Sequence, residues 1–340
     1  MMTTSDPSSL SAPLGPPPPF DPALAPALHE INKILPPDAF TDFAFVERTR
    51  RGAIGSSTPA PEEAFTKGGT YAVEERTVPG PQGAPDISLL ICLPTAASAP
   101  TPVLYHIHGG GMMTGNMRDQ VPEWLDLMQE FNAAVVSVEY RLAPETKHPG
   151  PVEDCYAGLL WTAEHAVELG IDPERIIVAG TSAGGGLAAA LALMARDRGG
   201  PALSAQMLLC PMLDDRNNTP SARQLTGLGI WDQASNHSAW TALLGDAQGG
   251  DDVSPYAAPA RATNLSALPP AFVDVGSAET FRDEVITYAT RLWHAGGSAE
   301  LHVWPGGFHG FDTVVPQAAL SQDAVAARIR WLRRSLPAST

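Results

Sequence analysis

Cysteine is scarce: Cys92, Cys155 and Cys210 are the three in 340 residues. An odd number at such wide spacing builds neither a disulfide framework nor a CxxC metal site, so each reads as a small buried apolar residue. Basic residues are also few, with 21 Lys+Arg against 37 Asp+Glu and a formal net charge of −16. Phosphate contacts and anionic lipid surfaces both call for clustered Lys/Arg, so the composition argues against nucleic acid and against membrane docking. No stretch approaches the ~20 apolar residues of a membrane span. The longest apolar run, 187–195, is Ala-rich and short. Residues 1–10 lack a basic segment followed by an apolar one. A soluble cytoplasmic protein without membrane insertion is therefore the expectation.

What is present suffices for a large core, at 44% hydrophobic and 17% charged residues. Proline is uneven: 12 of 33 fall in the first 62 residues, including Pro16, Pro17, Pro18 and Pro19 in a row. Proline fixes φ and removes a donor, so 1–20 is expected to be a disordered lead. Leu24, Leu28, Ile31, Ile34 and Leu35 then recur at helical spacing, and Pro36-Pro37 ends that helix. From residue 70 strand-like and helix-like segments alternate. The runs 71–78 and 87–93 read as a hairpin across Pro79, Gly80 and Gly83. Six more β-rich runs follow at 103–108, 133–138, 175–179, 205–210, 272–275 and 301–304. Helical stretches at 152–169, 183–196, 281–295 and 322–336 separate most of them. This order predicts an α/β fold, an eight-stranded, mostly parallel sheet with helices on both faces. The interval 214–267 carries no convincing strand and reads as an excursion above the sheet.

The sharpest motif is Gly180-Thr181-Ser182-Ala183-Gly184, directly after one strand and opening a helix. Glycines permit the tight turn that lifts a serine hydroxyl to the carboxyl edge of the sheet, and the helix start favours developing negative charge. The bland alternative is a Gly-rich helix start with a capping serine. A second motif, His108-Gly109-Gly110-Gly111, ends another strand and supplies backbone N–H groups with no side chain in the way, as an oxyanion needs. His106 and His108 share a strand face, but no partner at metal spacing accompanies them, so no metal site is expected.

A base and an acid must follow in the order Ser, Asp/Glu, His. Of nine histidines, His309 sits in a glycine-rich loop just after the last strand, whereas His302 lies inside that strand. For the acid, Asp274 belongs to a strand, and Thr280 and Asp283 stand at the spacing of a capping box. Glu279 is therefore the better candidate to orient His309, with Asp283 as its rival.

Together these residues resemble the hormone-sensitive-lipase-like family of α/β-hydrolases, in the branch with Thr before the serine. Tyr140-Arg141-Leu142-Ala143-Pro144-Glu145, His148-Pro149 with Val152-Glu153-Asp154, and Pro211-Met212-Leu213-Asp214 extend the likeness, which covers about residues 103–311. The resemblance implies the α/β-hydrolase fold, with Ser182 as nucleophile, His309 as base, and the N–H groups of Gly110, Gly111 and Ala183 as oxyanion donors. The family's DPxRD acid motif stands here as Glu279-Thr280-Phe281-Arg282-Asp283, a departure that puts Glu at the acid position. The family also implies an N-terminal helical cap, here 21–65 with help from 214–250, over a catalytic domain 66–340, and a homodimer through the edge near the last strand. The expected activity is serine carboxylesterase action on small-molecule esters of short to medium acyl chains, without cofactor. The alternatives are a non-catalytic ligand-binding protein on the same fold, or a hydrolase of amides, carbamates or longer lipids. His309 speaks against the first of these. Met112, Met113, Trp231 and Trp240 are candidate pocket walls, with core packing as the competing role.

Overall fold

The eight β-rich runs close into one sheet in the computed structural model, which describes residues 14–52, 60–97 and 100–336. The strands are β1 (Tyr71–Val78), β2 (Ile87–Pro94), β3 (Thr101–Ile107), β4 (Ala134–Glu139), β5 (Ile171–Thr181), β6 (Ala205–Leu209), β7 (Ala271–Gly276) and β8 (Ala299–Trp304). Their order is β1-β2-β4-β3-β5-β6-β7-β8. Only β2 runs against its neighbours; every pairing from β4 through β3 to β8 is parallel. Central β3 is buried along its whole length, the signature of a parallel strand covered on both faces. Edge strand β1 instead carries Glu74, Glu75 and Arg76, charges that discourage pairing with another chain.

The helices are α1 (Ala25–Ile31), α2 (Phe43–Arg50), α3 (Glu62–Thr66), α4 (Val121–Met128), α5 (Gly150–Glu164), α6 (Ala166–Leu169), α7 (Ala183–Arg198), α8 (Pro220–Gln224), α9 (Gln233–Leu244), α10 (Arg282–His294), α11 (Phe311–Val314) and α12 (Ala319–Ser335). One face of the sheet packs against α5, α7 and α10 through residues such as Leu159, Leu191 and Val285. The other face packs against α3, α4 and α12 through Phe65, Trp124 and Trp331. Helix α4 had no counterpart in the sequence reading; its eight residues bury Val121, Trp124, Leu125, Leu127 and Met128.

The N-terminal third departs from expectation in detail. Residues 1–13 of the proline-rich lead lie outside the described residues. Residues 14–20 are held: Gln224 Nε2 donates to the carbonyls of Gly15 and Pro16, and Phe20 meets the Phe308 ring edge-on. The helix expected over 24–35 stops at Ile31 and finishes in three-residue turns, leaving Ile34 62% exposed. Its apolar partners, Phe308, Phe311 and Val315, receive only the Leu24 and Leu28 end. Helix α3, at the far end of the expected cap, joins the opposite layer with β1 and α4. Within the excursion, α9 packs on residues 39–41, and Ser235 Oγ donates to the Pro37 carbonyl at 2.7 Å. The two segments therefore meet above the carboxyl ends of the strands.

Candidate active site

Five loops converge at that carboxyl edge, where open α/β sheets bind ligands. Ile107 pairs with Gly180, so the glycine loop leaving β3 and the turn leaving β5 are adjacent by register. A Cβ on Gly184 would sit 2.0 Å from the Ile107 carbonyl oxygen, so only glycine lets α7 start this close to β3. Ser182 itself takes φ 59° and ψ −121°, a conformation that costs an L-residue about 1–3 kcal/mol. Its N–H donates to the Leu209 carbonyl at 2.8 Å and its carbonyl accepts from Met212 at 2.9 Å, bonds that hold the strained turn against the end of β6.

The side chains this turn and its neighbours present form one line. Ser182 Oγ stands 2.9 Å from His309 Nε2, and His309 Nδ1 stands 3.1 Å from Glu279 Oε1. Because a carboxylate accepts, Nδ1 carries the hydrogen and Nε2 is left to receive the serine's proton. Glu279 is buried, and its second oxygen accepts from the Gly276 N–H at 3.3 Å. Ser182 is 7% exposed and the His309 side chain 12%, so the hydroxyl and ring are sheltered but reachable. Phe281 meets the His309 ring edge-on at 5.2 Å and restricts its tilt.

Gly110 and Gly111 have φ of 105° and 61°, open to glycine at little cost. A Cβ on Gly109 would lie 3.5 Å from Ser182 Cβ, so the loop rests against the serine. Among the described residues, the N–H groups of Gly110, Gly111 and Ala183 donate to no backbone carbonyl outside the regular elements. His108, at the loop's start, gives Nδ1–H to the Gly109 carbonyl at 2.8 Å and stacks on Tyr140 at 4.1 Å. Tyr140 Oη in turn donates to the His108 carbonyl at 3.0 Å. Burial drives the His108 imidazole down to about 4 and His106 to about 3, so both stay neutral and hydrogen-bonded.

The remaining candidates divide. Trp231 is at the site: a Cβ on Gly111 would meet its ring at 2.3 Å, and its ring lies 5.0 Å from Phe40 and 6.5 Å from His309. Met112 and Met113 are buried directly after the glycines, and Met113 is engaged through its carbonyl, which accepts from Arg50 Nε at 2.6 Å. Trp240 is fully buried on α9 and makes no ring contact with the site among the described residues. The capping box does not form. Thr280 Oγ1 donates to the Trp231 carbonyl at 2.6 Å, and Asp283 accepts from Ser221 N and from Arg282. Asp283 thus ties α8 to α10, a structural task that its spacing suggests but with a different partner. Arg50 was missed altogether; its acceptors lie 63 and 93 residues along the chain, beyond any local signal.

A doubly wound sheet whose carboxyl edge gathers a strained serine, a histidine and a buried acid defines the α/β-hydrolase class, and residues 104–313 match the α/β-hydrolase fold family. The chain belongs to that family, in its hormone-sensitive-lipase-like group. It is 38% identical over 275 residues to Carboxylesterase NlhH of Mycobacterium tuberculosis, covering 78% of this chain and 83% of that protein. Esterase LipI of the same organism is 37% identical over 238 residues, 68% of this chain and 73% of that protein. The solved structure of a Bacterial Heroin Esterase matches with a TM-score of 0.85 at 41% identity, covering 94% of this chain and 98% of that one.

Proposed function

We propose that the protein is a serine carboxylesterase acting on small esters of short to medium acyl chains. The observation that carries this reading is the unbroken hydrogen-bonded line from Ser182 through His309 to Glu279 beneath the glycine loop. His309 Nε2 takes the Ser182 proton as Oγ attacks the ester carbonyl. The oxyanion is received by the N–H groups of Gly110, Gly111 and Ala183, and Glu279 stabilises the imidazolium that forms. His309 then hands its proton to the leaving alcohol, and water hydrolyses the acyl-enzyme by the same route. Trp231 and Phe40, with the N-terminal segment and the 214–250 excursion, form a cap over the acyl pocket. Three unpaired buried thiols fit a reducing compartment such as the cytoplasm, and no described helix is long and apolar enough to cross a membrane. Strand β8, the last in the sheet among the described residues, offers its outer edge to a second copy, as expected for a homodimer.

Ser182→Ala is expected to lower turnover of a short-chain aryl ester by about 10³-fold or more, and to abolish labelling by a fluorophosphonate. Retained turnover in that variant overturns the nucleophile assignment. Failure of the wild type to label would favour a binding protein instead. An acyl-length series on aryl esters reads the depth of the pocket, with a steep fall beyond medium chains as the expected result.

A further inference from the structure

Beside the acid and base stands a group the esterase chemistry does not use. Cys210 follows β6 directly, with φ 37°, and its N–H donates to the Asp274 carbonyl at 2.8 Å. One ligand atom each from Cys210, Glu279 and His309 lies within 4.8 Å of the others. We propose that these three side chains form an inhibitory binding site for a thiophilic divalent cation of the Zn²⁺ class. Soft thiolate, imidazole and carboxylate together are the donor set that suits Zn²⁺. Bonds of about 2.0 Å to N and O and about 2.3 Å to S place tetrahedral ligands roughly 3.3–3.5 Å apart. The 3.1 Å between His309 Nδ1 and Glu279 Oε1 is within about 0.2–0.4 Å of that spacing. The thiol has at most about 1.3 Å to close, within the reach of a side-chain rotation.

Coordination at Nδ1 changes the tautomer. The imidazole hydrogen moves from Nδ1 to Nε2, the Cys210 thiol loses its proton to solvent, and the serine keeps its own. With Nε2 protonated, the ring has no lone pair to accept from Ser182 Oγ. A bound cation therefore stops the enzyme without touching the serine or blocking the glycine loop. Cation binding releases the Cys210 proton, so it strengthens as pH rises. The cation binding stands on geometry alone; its inhibitory effect rests on the esterase reading.

The test uses Zn²⁺ for activity and Co²⁺ for spectroscopy, on the wild type, Cys210→Ser and Cys210→Ala. Cys210 takes no part in acyl transfer, so both variants are expected within about twofold of wild-type turnover in chelator-treated buffer. Zn²⁺ is expected to inhibit the wild type reversibly, with activity restored by a chelator, and to need at least about tenfold more metal in either variant. Co²⁺ should give a thiolate charge-transfer band in the near ultraviolet with the wild type and with Ser182→Ala, and none with the Cys210 variants. Cys92, on β2, and Cys155, on α5, remain in all of them as internal controls. Equal Zn²⁺ inhibition of wild type and variants overturns the proposal, as does a wild type without the band. The band in Ser182→Ala decides metal binding even if the esterase reading fails.

Discussion

Between Glu279 and Asp283 the distinction is one of contacts, and the two carboxylates have separate work. Glu279 Oε1 meets His309, while Asp283 Oδ2 holds the Ser221 N–H at 2.7 Å and Oδ1 meets Arg282 Nε at 2.7 Å. Glu279→Gln keeps the volume but removes the charge that steadies the imidazolium, and its amide can present a donor to Nδ1. We expect kcat to fall by about 10²–10⁴-fold with the melting temperature little changed. Asp283→Asn should retain activity within a few-fold and lose about 1 kcal/mol of stability, seen as a lower urea midpoint. The opposite ranking in steady-state kinetics would make Asp283 the acid. The contact of Glu279 with His309 follows a loop position visible in the sequence, whereas the partners of Thr280 and Asp283 were not legible there. Both are taken by an excursion some 50–60 residues earlier in the chain.

Helix α2 shows how an element far from the motifs bears on them. Its Arg50 donates through Nε to the Met113 carbonyl at 2.6 Å and through Nη2 to the Ala143 carbonyl at 2.6 Å, while Nη1 pairs with Glu145 at 2.7 Å. Ala143 N–H in turn donates to the Met112 carbonyl at 2.8 Å, so one guanidinium fastens α2 to the segment that follows Gly110 and Gly111. Three acceptors around one planar fork suit arginine and not lysine, whose ammonium is a single point. Arg50→Ala is expected to lower kcat/KM for an aryl ester by roughly tenfold, since small misplacement of oxyanion donors is costly. Arg50→Lys should recover little of it. Unchanged kinetics in both variants would mean that the glycine loop is held by Tyr140 and His108 alone. The strands and the long helices were legible because their apolar periods run over many residues. The end of α1 was not, because burial there depends on which face meets Phe308.

Across the molecule, buried histidines bear on acid sensitivity, because burial disfavours their charged form. His106, fully buried with Nδ1 2.9 Å from Ser137 Oγ, is held down at about 3 by desolvation. Unfolded, it titrates near 6.5, so between these values the unfolded chain binds a proton that the folded one does not. Stability from this group is complete above the unfolded value and is lost as pH falls, by about 1.4 kcal/mol per pH unit. Glu284 and Asp274, both raised by burial, act in the opposite sense and mask part of this slope. Comparison with His106→Gln isolates it. The stability difference, wild type minus variant, should drop by about 2 kcal/mol between pH 7 and pH 5 in urea titrations, and a flat difference would place the histidine's proton elsewhere.

Local sequence patterns were enough for eight strands in chain order, the two glycine motifs at strand ends, and a histidine and a glutamate in loops that follow strands. These are local patterns, set by backbone freedom, hydrophobic period and position relative to a strand's end. Which side chains touch depends on packing between segments far apart in the chain. That packing brings Glu279 and not Asp283 to His309, lays Trp231 across Gly111, reaches Arg50 to the Met113 carbonyl and stands Cys210 beside Glu279 and His309. Those contacts join residues tens to more than a hundred positions apart, and the packing of whole elements selects them.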